Sequence, residues 1–313
     1  FGCTPPCILY WQGHLLTVIL NRLFNFLSGE SIRTENGMED EMEKLTKEAE
    51  MQLISEIDTL VRQAGRVIRD ARPGGDAIHK KQGDANFVTD YDVQIQRELI
   101  AGLHKILPEA SFFGEEDTEG NSHDTSGWCF YIDPIDGTTN FMFDYHHSCV
   151  SVGLSYAGEM LAGFVYNPYV EEMYLAIKGE GAFLNGRKLS LSDVPLNEGI
   201  AAFGCARYNA DCTEEFFQVI RELFQRSLSI RDRGSAALDL CSIASINNVC
   251  YFEIKLQPYD YAAASLIIAE AGGVITQMDG SPITLDGPCS IAAGTGSAHK
   301  ELLEIVREKL LRC

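Results

Sequence analysis

Positive charge is scarce in this chain: its 313 residues carry 25 Lys and Arg against 45 Asp and Glu, a formal net charge of −20. A surface this acidic suits neither a nucleic-acid backbone nor an anionic membrane, so neither is expected as a partner. Long uninterrupted apolar runs are missing as well. Residues 8–27 (ILYWQGHLLTVILNRLFNFL) come nearest, but Gln12, His14, Asn21, Arg22 and Asn25 would be costly in hydrocarbon. There is no basic stretch followed by an A-x-A site, so a secretory signal is not expected. Among the ten cysteines no two stand as C-x₂-C, which excludes the usual zinc spacing. Most lie inside apolar runs such as CVSVGL and DLCSIASI, and read as buried free thiols of a reducing, cytoplasmic compartment. No internal repeat of 20–50 residues is visible.

What is present is an ordinary globular composition, 45% hydrophobic and 22% charged, long enough for a large core. Met38, followed by EDEMEKLTKEAE, reads as a helix start, which leaves 1–37 as an N-terminal extension expected to be disordered or spurious. Leu45, Ala49, Leu53, Ile57, Leu60, Ala64, Val67 and Ile68 recur at helical spacing over 39–71. Pro73-Gly74-Gly75 then ends that helix, and a second is expected from Asp92 to Leu107. Residues 147–156, 160–167 and 171–178 read as strands, followed by a hairpin over 181–191 with Asn185-Gly186 at its tip. Helices are expected at 213–226, 235–246, 259–272 and 297–311, the last capped by Ser297, with a strand at 249–255. Antiparallel hairpins in the middle exclude a purely parallel sheet, and stacked layers of helices and mixed sheets follow.

Three acidic segments, each at an element boundary, point to chemistry: Gly114-Glu115-Glu116-Asp117, Asp133-Pro134-Ile135-Asp136-Gly137-Thr138-Thr139-Asn140-Phe141, and Tyr259-Asp260-Tyr261-Ala262-Ala263. In the second, Pro134 holds Asp133 extended, Gly137 permits a sharp turn, and Thr138 and Thr139 start a helix whose N–H groups face that turn. Two carboxylates then flank an anion cradle. Carboxylates repel phosphate, and hard divalent cations resolve the conflict by binding both. Taken singly, each segment would be a solvated turn, an acidic loop or a helix cap; together they make one constellation.

The three segments resemble the inositol monophosphatase family of Mg²⁺-dependent, lithium-sensitive sugar phosphatases. Its pattern is G-E-E, then D-P-[IL]-D-G-T-x-N-F, then W-D-x-A-A with E-A-G-G, and here Glu270-Ala271-Gly272-Gly273 supplies the last part. The resemblance covers the chain from about Met38 and implies an α/β, five-layered α-β-α-β-α sandwich with mixed sheets, spanning 38–313 in two halves, 38–200 and 201–313. It implies two to three Mg²⁺ ions, with Glu115, Asp133, Asp136, Asp260 and the Ile135 carbonyl as ligands. Asp92 would reach a third ion through water, and Lys81 matches a lysine of the same loop. Glu115 and Thr138 would orient the attacking water, and the Gly137 and Thr138 amides would hold phosphate oxygens.

On the alcohol side, the resemblance places Gly234, Ser235, Ala236, Glu253 and, with Asp136, the position of Cys205. Cys205 stands where many relatives have serine, and Tyr259 replaces the usual tryptophan before Asp260. The implied partners are a small phosphate monoester and a second copy of the chain. Hydrolysis of myo-inositol 1-phosphate is the leading expectation. Fructose 1,6-bisphosphate, a 3′-phosphoadenosine nucleotide and a non-catalytic regulatory role are the alternatives. With Asp136 as a ligand, Asp136→Asn should lose turnover, and the metal-free variant should fold as well as wild type or slightly better, since the clustered carboxylates repel one another.

Overall fold

The computed structural model describes residues 38–72, 78–80, 87–118, 120–122, 124–205 and 213–310. Lys81 and the extension 1–37 lie outside the described residues. The chain divides into two compact units, 1–59 and 60–313. The helix α1 (Met38–Asp70) runs from the first into the second.

Two sheets organise the second unit. The larger takes β3 (Ser111–Gly114), β4 (Trp128–Asp136), β5 (Cys149–Tyr156), β6 (Glu159–Asn167), β7 (Glu172–Ile177), β8 (Gly181–Leu184) and β9 (Arg187–Lys188) in sequence order. Only the β3–β4 pair is parallel. The smaller runs β11 (Ser229–Arg231), β10 (Ile200–Phe203), β12 (Cys250–Leu256), β14 (Cys289–Gly294), β13 (Val274–Thr276), with β10 parallel to both its neighbours. A short antiparallel pair, β1 (Ile78–Lys80) with β2 (Phe87–Thr89), leads into α2 (Asp90–Ile106).

All nine residues of β4 are buried, because the larger sheet is covered on both faces. Val61, Ala64 and Ile68 of α1, with Ile95, Leu99 and Leu103 of α2, are buried on one side. On the other lie α5 (Ala236–Ala244) and α6 (Pro258–Ala271), which also back the smaller sheet. Its far face is closed by α4 (Thr213–Arg226) and α7 (Gly296–Lys309), around Phe216, Leu223, Leu302 and Val306. This is the α-β-α-β-α layering that the motifs imply, with mixed sheets.

Two local features place the site. Gly163 on β6 lets α6 lie directly on the sheet, since a Cβ there would stand 2.5 Å from the Ala263 carbonyl oxygen. That contact fixes the helix whose first turn carries Asp260. The hairpin tip forms where expected, with Asn185 and Gly186 both at positive φ. One cap differs from expectation: α7 begins a residue early, and Thr295 rather than Ser297 is its N-cap, its hydroxyl accepting from Ala298 N.

Candidate active site

The motif 133–141 is built on a strand irregularity. Side chains alternate across a regular strand, so residues three apart face opposite ways. Here β4 and β5 slip register between Asp133, opposite Ser151, and Asp136, opposite Cys149. The extra residue re-aims the strand end, and Asp133 and Asp136 line the same cleft. The Asp133 Oδ1 accepts the Ile135 amide at 3.0 Å and tightens the turn. Gly137 follows at φ 93°, with the Gly234 carbonyl oxygen 3.0 Å from where a Cβ would be, so only glycine fits without strain. The short helix α3 (Thr138–Met142) starts immediately after it, as expected.

The cleft encloses about 400 Å³ between the C-terminal end of β4, the starts of α3, α5 and α6, and the end of β12. Glu115, Asp133, Ile135, Asp136, Gly137, Thr138, Cys205, Gly234, Ser235, Ala236, Glu253 and Asp260 all line it. Thus every site residue named from the sequence lies in one cleft except two. Lys81 is outside the described residues, and Asp92 is buried behind the wall. Asp92 reaches the cleft through Thr138, whose hydroxyl is 3.4 Å from its Oδ1 and also donates to the Ile135 carbonyl at 3.2 Å. Tyr251, Asp232 and Asp239 line the cleft as well and carry no motif signal.

Seven of the lining residues are Asp or Glu, and none of the described ones is Lys or Arg. Burial, then the charges of Glu115, Asp136 and Asp260, push the Asp133 carboxyl well above the usual carboxylate range. Asp260 is raised by burial and by Glu115 and Asp136, against the opposing hydrogen bond from Gln257 N at 2.7 Å. Burial brings Asp136 to about 6, although Ser235 and the amides of Ala237 and Ala236 pull the other way. Burial lifts Glu253 to about 8, opposed by its 2.5 Å hydrogen bond from the Tyr251 hydroxyl. Asp239 rises to about 6 by burial despite its ion pair with Arg233 at 2.6 Å.

The donors fit a hard divalent cation in kind, being carboxylate oxygens, buried at Asp133 and Asp136 and partly exposed at Glu115 and Asp260, with a carbonyl beside them. As the side chains stand, no three His, Cys, Asp or Glu among the described residues form a metal cage. Two of the four carboxylates are turned to helix starts, Asp136 to α5 and Asp260 to α6. The six described cysteines at 129, 149, 205, 241, 250 and 289 are free thiols, and no described helix is long and apolar enough to cross a membrane.

Two mixed sheets with a carboxylate-lined cleft at their strand ends define an α/β fold of the sugar-phosphatase type. The inositol monophosphatase family model matches residues 31–311, and the chain belongs to that family. It is 34% identical over 262 residues to inositol monophosphatase 1 of Bos taurus, across 80% of this chain and 91% of that one. It is 33% identical over 254 residues to the Nus factor SuhB of Escherichia coli K12, covering 80% and 93%. Among solved structures, the extragenic suppressor protein SuhB of Bartonella henselae superposes with a TM-score of 0.75 at 28% identity, covering 84% of this chain and all of that one.

Proposed function

We propose that the chain is a Mg²⁺-dependent phosphate monoester hydrolase whose substrate is myo-inositol 1-phosphate. The observation that carries this reading is the lining of the cleft: Glu115, Asp133, Asp136 and Asp260 share one cavity with the hydrogen-bonded pair Tyr251 and Glu253. Bound Mg²⁺ would neutralise the phosphate oxygens and make water a stronger nucleophile.

Glu115, Asp133, Asp136, Asp260 and the Ile135 carbonyl would hold two ions, and Asp92 would reach a third through water. Glu115 and Thr138 orient the attacking water, and Thr138 is suited to this because its hydroxyl is tied to the buried Asp92. The amides of Gly137 and Thr138, at the start of α3, bind phosphate oxygens. The segment Gly234-Ser235-Ala236, Cys205 and Glu253 receive the alcohol. Glu253 and Tyr251 offer paired hydroxyl and carboxyl groups, which suit the hydroxyls of a neutral polyol. The acidic lining disfavours a second phosphate there, as a bisphosphate or nucleotide would carry.

The kinship reaches both an inositol monophosphatase and a Nus factor, so substrate identity rests on the cleft rather than on the family name. The decisive experiment is phosphate release from a panel containing inositol 1-phosphate, fructose 1,6-bisphosphate and 3′-phosphoadenosine 5′-phosphate. The highest kcat/KM is expected for inositol 1-phosphate, and preference for either of the others overturns the assignment. A homodimer is part of the same proposal. Phe143, Tyr145 and Val170 are exposed, and the His146–Tyr169 stack at 4.8 Å brings their loops together. Sedimentation as a monomer at micromolar concentration would refute it.

A further inference from the structure

Helix α2 carries two polar side chains one turn apart, Asp92 and Gln96, both with no solvent exposure. Burying a carboxamide is costly unless its atoms are paired. Gln96 pairs all of its polar groups with the loop that carries Glu115. Its Nε2 donates to the Glu116 carbonyl and to Thr118 Oγ1, each at 2.7 Å, and its Oε1 accepts from Glu116 N at 2.9 Å. A side-chain amide that binds both polar atoms of one residue fixes that residue's position and its rotation.

The other side of the loop is held in the same way. Asn121 Oδ1 accepts from Gly114 N at 2.7 Å, and its Nδ2 donates to the carbonyls of Gly114 at 3.1 Å and Glu116 at 3.0 Å. Both neighbours of Glu115 are therefore clamped, while its own amide donates to the Ile132 carbonyl on β4 at 3.0 Å. Gly114 is required for this approach, because a Cβ there would lie 2.6 Å from the Gln96 carboxamide. One turn earlier, Asp92 is fixed by Thr89, whose amide and hydroxyl both donate to its Oδ2, and it faces Thr138 through Oδ1.

We infer that Gln96, assisted by Asn121, is a positioning residue that sets the Glu115 carboxylate against Thr138, with one turn of α2 as the spacer. This inference rests on the hydrolase reading above, in which Glu115 and Thr138 orient the attacking water. Neither Gln96 nor Asn121 lines the cleft, so neither touches substrate.

The test uses Gln96→Met, which keeps length and shape but makes no such hydrogen bonds, Gln96→Glu, which keeps the acceptor, and Asn121→Ala. Two quantities are read: kinetics of phosphate release from inositol 1-phosphate, and amide hydrogen exchange over 113–118 in metal-free protein. Displacing a catalytic group by about 1 Å costs about 100-fold. Gln96→Met and Asn121→Ala should therefore lower kcat by about 10–100-fold. KM should stay unchanged and exchange over 113–118 should quicken. Gln96→Glu, which lacks the two Nε2 bonds and adds a buried charge, should recover little of kcat. Unchanged kcat in Asn121→Ala and Gln96→Met, a rise in KM alone, or unaltered exchange overturns the inference. If Gln96→Met fails to fold, Asn121→Ala carries both readouts. A wild-type protein inert on every ester refutes the hydrolase reading, and the exchange data then decide the clamp alone.

Discussion

Asp136 and Ser235, 99 residues apart in the chain, are joined by a 2.5 Å hydrogen bond from the serine hydroxyl to the carboxylate Oδ2. The amides of Ala237 at 2.8 Å and Ala236 at 3.3 Å also donate to Asp136, which thereby closes the N-terminal end of α5. One carboxylate ties the β4 turn to the segment proposed to meet the alcohol.

This changes what Asp136→Asn should do. As a ligand alone, Asp136 would be dispensable for folding. As the acceptor for a helix start it is not, because Asn offers one oxygen and turns an NH₂ toward donors. The variant should lose about 1–3 kcal/mol of stability in chelator. Its kcat in saturating Mg²⁺ should fall by about 10²–10³. Paired melting and turnover measurements check both. Normal melting with full activity would refute both roles.

Glu253 makes a pH prediction. Its folded value of about 8 lies above the ordinary carboxyl value of 4.5. The folded state thus holds a proton that the unfolded chain has released, so stability is fully present below pH 4.5 and is lost as pH rises through 8. In metal-free protein, Glu253→Gln should gain stability relative to wild type between pH 5 and 9, by about 5 °C or more in Tm. A constant difference across that range would show that Glu253 does not titrate there. On inositol 1-phosphate the same variant should weaken binding more than turnover, by about 1–3 kcal/mol.

Gly163→Ala tests how α6 places Asp260. The added methyl meets the Ala263 backbone, which cannot yield as a side-chain end would. A cost of about 1–3 kcal/mol is expected. Loss of turnover should exceed what unfolding explains, because the first turn of α6 moves with the helix. Thermal melting and kcat of the folded fraction separate the two, and a fully active, normally melting variant would refute the close approach.

Much of this was legible because the signals are local. The acidic motifs are contiguous in sequence, and Asn185-Gly186 specifies its own turn. The long helix of 38–70 and the central strands show clear periodicity. Strands of three or four residues, such as β10, β11 and β13, are too short for a period to register. Gln96, Asn121, Tyr251 and Asp239 were silent for another reason: each acts through a partner that only the fold brings near. Thr295 outcompetes Ser297 as a cap because its hydroxyl also donates to the Val194 carbonyl at 2.6 Å, while Ser297 is drawn to Asp193 at 2.7 Å.

In the proposed reaction the carboxylates of one cleft, with Mg²⁺, hydrolyse a phosphate monoester. The most direct measurement is phosphate release from inositol 1-phosphate by wild type and Glu115→Gln, in Mg²⁺ and in excess chelator. Wild type should be active in Mg²⁺, silent in chelator and restored when Mg²⁺ is returned. Glu115→Gln should remain folded and lose about 10²–10³ in kcat in saturating Mg²⁺. Full wild-type activity in excess chelator, or an unimpaired Glu115→Gln, would contradict the account.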